Sequence, residues 1–145
     1  MGHKVGWLTL HSGIAGGADI ILVPEIPYDI NKVAAAVNKR AKEGKRFSII
    51  AVAEGAISKE QAALSKKEYK KYIATRQYPS ISYEIGAKIS ELTGQEVRVA
   101  VPGHMQRGGS PCPYDRVLST RLGAAAGKMI LDGEFGYLVG MKNNH

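Results

Sequence analysis

Two short stretches carry the side chains with chemistry to offer. Residues 103–116 read GHMQRGGSPCPYDR, with three glycines, two prolines, a histidine and two arginines directly after an apolar run. Such a loop is costly to order, because glycine gives up more backbone freedom than any other residue and clustered cations repel one another. An anionic ligand seated among these groups would offset that cost. Arg107 can grip a phosphate through paired N–H bonds and His104 can donate to it. Gly108 and Gly109 let backbone amides approach closely, and the helix that follows can aim its positive end at the same place. The same residues also describe a structural loop, in which Asp115 caps that helix and Arg116 pairs on the surface.

The second stretch is Glu54-Gly55, which ends an apolar run with no cation beside it in sequence. A carboxylate there can accept hydrogen bonds from sugar hydroxyls, or it can be the acid that opens the next segment. Glu25 has the same two readings, and its place between Pro24 and Pro27 favours the structural one. Other candidates carry less. Gly13-Ile14-Ala15-Gly16-Gly17 is neither a dinucleotide fingerprint nor a P-loop and precedes a strand, so it reads as a tight helix-to-strand connection. His3 and His11 lack metal-ligand spacing with each other or with carboxylates, and no zinc or nucleophile-elbow motif occurs. Cys112, the single cysteine, has no base beside it.

The elements that must position these groups alternate. Ala18–Pro24 and Ser48–Ala53 read as buried strands, and Val97–Val101 as a third. Asp29 opens a helix over Asn31–Lys42, which Gly44 ends. Tyr83–Leu92 is helical and stops near Gly94, Asp115–Leu131 is helical, and Tyr137–Met141 is a short last strand. Strands apolar on both faces and alternating with helices predict an α/β fold, a parallel sheet in a Rossmann-like three-layer domain. Ligands in such folds sit beyond the carboxyl ends of the strands, where Pro24-Glu25, Glu54-Gly55 and the Gly103–Arg107 stretch all fall. Residues 56–82 are the least regular part and read as an insertion within a single domain spanning 1–145.

Composition narrows the class. The chain has 145 residues, 44% of them hydrophobic, enough for one domain with a real core and too apolar for disorder. No apolar run is long enough to span a bilayer, no signal peptide opens the chain, and one cysteine suits a reducing cytoplasm. A formal charge of +7 and a pI near 9.5 point to anionic partners, phosphorylated metabolites or nucleic acid. The lysine-rich run 65–76 (SKKEYKKYIATR) reads as a solvated helical face rather than a nucleic-acid site, since no binding motif accompanies it.

Taken together, MGHKVGWLTLHSGIAGGADIILVPEIPYD, IIAVAEG and VRVAVPGHMQRGGSPCPYDRVLSTRLG resemble the 6-phosphofructokinase family, in the family's order and over most of the chain. GHMQRGGSP with its downstream Asp-Arg is the most specific part. The resemblance implies one lobe of the phosphofructokinase fold, the sugar-phosphate-binding half. It implies glycolytic transfer of a phosphoryl group to the 1-hydroxyl of fructose 6-phosphate, from ATP with Mg2+ or from pyrophosphate. By that resemblance His104, Met105, Gln106 and Arg107 bind the sugar phosphate and Glu54 holds the sugar hydroxyls. Arg98 reaches the site of a neighbouring subunit in a tetramer or dimer. Met1, Gly2 and His3 match the Met-Gly-Arg motif beside the sugar, with His3 the candidate contact to the moving phosphate.

The sequence departs from the family at three places. His3 stands where the family has arginine. Glu43 stands where regulated members carry a lysine, beside Asp19 and Lys45, which resemble effector-site positions. The glycine-rich donor segment and the catalytic aspartate of the family have no counterpart here, so the expectation is part of a longer two-lobed enzyme, inactive alone, with Mg2+ and the donor bound mainly by the other half. Two alternatives are a stand-alone sugar-phosphate-binding module without catalysis and a basic nucleic-acid-binding domain.

Overall fold

The computed structural model describes residues 1–142, which form two compact units, one over Met1–Gly103 and one from His104 onward. In the first unit the order is α1 (Trp7–Ala15), β1 (Ile20–Leu22), α2 (Ile30–Lys42), β2 (Ile50–Val52), α3 (Lys59–Ala62), α4 (Lys66–Ala74) and α5 (Ile81–Thr93). The second holds the 3-10 turn that starts at Gly103 and runs to Arg107, then α6 (Pro113–Leu131).

β1 and β2 pair in parallel, Ile20 opposite Ile50 and Leu22 opposite Val52. Side chains alternate across the pair. Ile20, Leu22, Ile50 and Val52 join a core with Tyr28, Val33, Ala56, Ile81, Ile85 and Ile89. Ile21 and Ala51 face the other way, towards α1, whose Gly13 lies so close that a Cβ there would meet Ile21 at 2.8 Å. Helices therefore cover both faces, as two-sided apolar strands require.

The helices start and stop for local reasons. Asp29 caps α2 by accepting from the Asn31 amide at 3.0 Å, and Gly44 follows the helix at φ +81°. α5 turns Ile81, Ile85 and Ile89 inward at four-residue spacing, each at most 3% exposed, a burial that stabilises by about 1.5–3 kcal/mol per side chain. Gly94 ends it in the left-handed region at φ +68°. In α6, Pro113 takes the first position, where its missing N–H costs nothing, so the helix begins two residues before Asp115. No side chain of α6 is buried, and Tyr114, Val117, Ile130 and Leu131 are exposed.

Two expected strands do not form. Val97–Val101 pairs with neither β1 nor β2; Val97 and Val99 rest instead on Gly86 of α5, and a cleft of about 310 Å³ lies between that segment, Phe47, β2 and Ile89. Tyr137–Met141 is irregular. The two strands that do form are shorter than their apolar runs, since only three residues of each find a ladder partner.

Candidate functional site

The first unit gathers four of the expected site residues at the carboxyl ends of its strands. The Met1 amino group donates to the Val52 carbonyl at 2.8 Å, and the Thr9 hydroxyl donates to the Met1 carbonyl at 2.5 Å. The Glu54 amide donates to the Gly2 carbonyl at 3.2 Å, with Gly2 itself in the left-handed region at φ +68°. His3 Nδ1 then lies 2.8 Å from Glu54 Oε2. Met1, Gly2, His3 and Glu54 thus form one continuous edge. Gly55 has to be glycine, because a Cβ there would collide with the His3 carbonyl oxygen and touch the Pro24 ring at 3.3 Å.

The His3–Glu54 pair is open to solvent, with side chains 75% and 63% exposed, so it adds little stability. What it does is orient. Nδ1–H aimed at Oε2 fixes one carboxylate oxygen and leaves the remaining lone pairs facing solvent, where hydroxyl groups of a ligand can donate to them. Glu25 proves structural. Its Oε1 accepts the Gly6 amide at 2.8 Å and so caps α1, whose N-cap glycine has no side chain to do so. Asp19 is also held within the fold, paired to Arg40 at 2.7 Å and accepting the Ile49 amide at 2.8 Å.

Arg98 lies exposed on the unpaired Val97–Val101 segment and pairs with Glu96 at 2.9 Å. It is not brought to the Glu54 edge by any bond among the described residues. In the second unit, His104, Met105, Gln106 and Arg107 share the 3-10 turn, and all four are exposed. Residues three apart eclipse in such a turn, which puts His104 and Arg107 on one side. The Arg107 guanidinium has no carboxylate partner among the described residues. The structural reading holds for the end of the loop. The Cys112 amide donates to Asp115 at 3.0 Å and Arg116 donates to the Pro111 carbonyl at 3.2 Å, while His104 and Arg107 face outward.

Thr9, fully buried and fixing the Met1 carbonyl, has no signature in the sequence; its place next to a leucine on a helix looks like any other polar position. Among the described residues no group of three or more His, Cys, Asp or Glu side chains is placed to hold a metal ion, and no helix is long and apolar enough to cross a membrane.

Parallel strands between helical layers, with polar turns gathered at their carboxyl ends, define a Rossmann-like α/β lobe. The phosphofructokinase family pattern matches residues 1–130, and the chain belongs to that family. The ATP-dependent 6-phosphofructokinase of Spirochaeta thermophila is 50% identical over 143 residues, an overlap of 99% of this chain and 39% of the relative. The ATP-dependent 6-phosphofructokinase of Chloroflexus aggregans is 48% identical, covering 98% and 38%. Among solved structures, Pichia pastoris phosphofructokinase in the T-state superposes with a TM-score of 0.61 at 34% identity, over 90% of this chain and 13% of that one. The chain spans about two fifths of the length of the curated relatives it matches.

Proposed function

We propose that this chain supplies the fructose 6-phosphate site of a 6-phosphofructokinase, which transfers a phosphoryl group to the sugar's 1-hydroxyl and yields fructose 1,6-bisphosphate in glycolysis. The observation that carries the reading is the Glu54 edge, where a solvent-facing carboxylate is set by His3 directly beside Met1 and Gly2. Glu54 accepts from the sugar hydroxyls. Arg107 grips the 6-phosphate, His104 donates to it from the same side of the turn, and Met105 and Gln106 flank it. His3 stands where the family has an arginine; here it orients Glu54, and it is the residue of this chain nearest in role to the transferring phosphate. Arg98 serves a neighbouring subunit of a homo-oligomer in the cytoplasm.

ATP is the donor, in keeping with the names of relatives at 48–50% identity. Mg2+ and the donor phosphates supply charge neutralisation and the leaving group in such a transfer. This chain's part is to bind and orient the acceptor.

Titration of the chain with fructose 6-phosphate, followed by 31P NMR, tests the reading. Arg107→Ala should weaken binding about 10- to 100-fold, the loss of a charged hydrogen-bonding fork. Equal binding by the variant, or equal affinity for fructose 6-phosphate and inorganic phosphate, would overturn it.

A further inference from the structure

Among the described residues Glu84, on α5, is the one charged side chain that is buried, at 2% exposure. Taking a carboxylate out of water is costly unless opposite charges and donors replace the water. Here they do. Tyr72 donates to Oε1 at 2.5 Å, Lys88 at 2.8 Å and Gln61 at 3.5 Å, and Arg76 Nε lies 3.6 Å from Oε2. Burial pushes the Glu84 carboxyl up, but hydrogen bonds from Lys88 and Tyr72, with the charges of Lys88 and Arg76, prevail and hold it below the usual carboxylate value. Burial and then the bond to Glu84 push the Tyr72 hydroxyl up.

Three of these four partners, Gln61, Tyr72 and Arg76, belong to segment 56–82. Both ends of that segment are fixed by buried residues, Ala56 and Ser58 at one end and Ile81 at the other, but α3 and α4 between them have little else to hold them. α3 is four residues long with Gln61 its one buried side chain, and α4 has none buried, its Lys66, Lys67, Lys70 and Lys71 all in solvent. The Glu84 cluster is therefore the main attachment of α3 and α4.

Gln61 is also a link. Its Nε2 donates to the Tyr72 hydroxyl at 3.0 Å, while its Oε1 accepts the Ser58 amide at 2.9 Å and its own amide donates to Ser58 Oγ at 3.2 Å. Ser58 bridges to Tyr28, and the intervening residues lead back to Glu54 across buried Ala56. We propose that Glu84 is a positioning residue for the Glu54 turn: it anchors α3 and α4 through Gln61, Tyr72 and Arg76, and Gln61 passes that anchorage to Ser58 and so to the turn that sets Glu54 against His3. The importance of that turn rests on the function proposed above; the mechanical coupling does not.

Hydrogen exchange and the NMR signals of the His3 ring, both read on the sugar-free chain, test the coupling. In Glu84→Gln the amides of 54–58 and 59–75 should exchange about tenfold faster, with α2 unchanged, as loss of one charge-assisted bond requires. The His3 ring signals should move in the direction seen in Glu54→Gln. Tyr72→Phe, which deletes one hydroxyl and spares the fold, should produce the same pattern more weakly, and it carries the test if Glu84→Gln does not fold. Faster exchange confined to 59–75, with 54–58 and His3 as in the wild type, would overturn the proposal, as would no change anywhere. Neither readout involves fructose 6-phosphate, so a chain that fails to bind the sugar refutes the functional reading alone.

Discussion

Gly55→Ala puts one methyl group where the His3 backbone already is. The substitution tests space rather than backbone strain, because Gly55 does not occupy the left-handed region. The new Cβ would collide with the His3 carbonyl oxygen and touch Pro24 at 3.3 Å. The oxygen cannot simply step aside. Its strand is tied down by the Glu54 amide on the Gly2 carbonyl at 3.2 Å and by the Met1 amino group on the Val52 carbonyl at 2.8 Å. Forcing a methyl into a filled place costs about 1–3 kcal/mol. If relief comes from breaking one of those two bonds, about 1 kcal/mol is lost instead or in addition. A total of about 2–3 kcal/mol in a unit of this size lowers Tm by roughly 8–20 °C. Thermal unfolding followed by circular dichroism gives the shift, and the His3 ring signals report whether the contact with Glu54 survives. A Tm within about 2 °C of wild type, with the His3 signals unmoved, would refute the reasoning that this turn is closed by His3.

Gly127→Ala provides the opposite case, since nothing lies within 4 Å of a Cβ added there on α6. It should stabilise by about 0.5–1 kcal/mol through helix propensity, and a lower Tm would mean that the face of α6 is occupied in the folded chain. Acid should expose the contribution of Glu84. Its folded pKa lies below the ordinary 4.5, so the stability it adds is complete above that value and is lost as pH falls through the folded pKa. The groups around it are Tyr28, Tyr72, Arg76 and Lys88, with Glu60 nearby, and of these Glu60 alone is another carboxylate. The Tm gap between wild type and Glu84→Gln should therefore narrow on acidification from pH 6 to below about 4; a gap that stays constant would show that the charge of Glu84 is not what stabilises.

What the sequence made legible was local. Asp29 and Gly44 bracket α2, Gly94 stops α5, and the two-glycine link after α1 leads into β1, because caps and turns are decided by residues a few positions apart. Apolar runs located both strands but overstated their length, since hydrophobicity marks what is buried and the ladder marks what is paired. The Val97–Val101 run shows the difference. Val97 and Val99 lie against Gly86 of α5 without any strand partner, and only Val99 is half-buried, so a β-like pattern ends here in partial packing rather than in a ladder. The candidate site was legible as residue types at the ends of strands, and by family resemblance as a motif; the bond from His3 to Glu54 was not, because 51 positions separate the two.

Glu84 is hidden in the sequence for a related physical reason. On α5 it falls between Ile81 and Ile85 in a helix whose next turn holds Lys88, a spacing that normally signals an exposed ion pair on a solvated face. The face is set instead by what covers it. Segment 56–82 has lysines and tyrosines where a packing helix would have leucines, and it reaches the lobe through a tyrosine hydroxyl, a glutamine and an arginine. Apolar patterning cannot detect an attachment of that kind, because the side chains that make it are polar on both sides of the contact. A buried carboxylate gathers such partners, and it holds the cations among them most strongly while it remains charged. The irregularity of 56–82 in sequence and the burial of Glu84 in the fold are therefore linked: α3 and α4, too polar to build a core of their own, are held by a charge placed in another element's core.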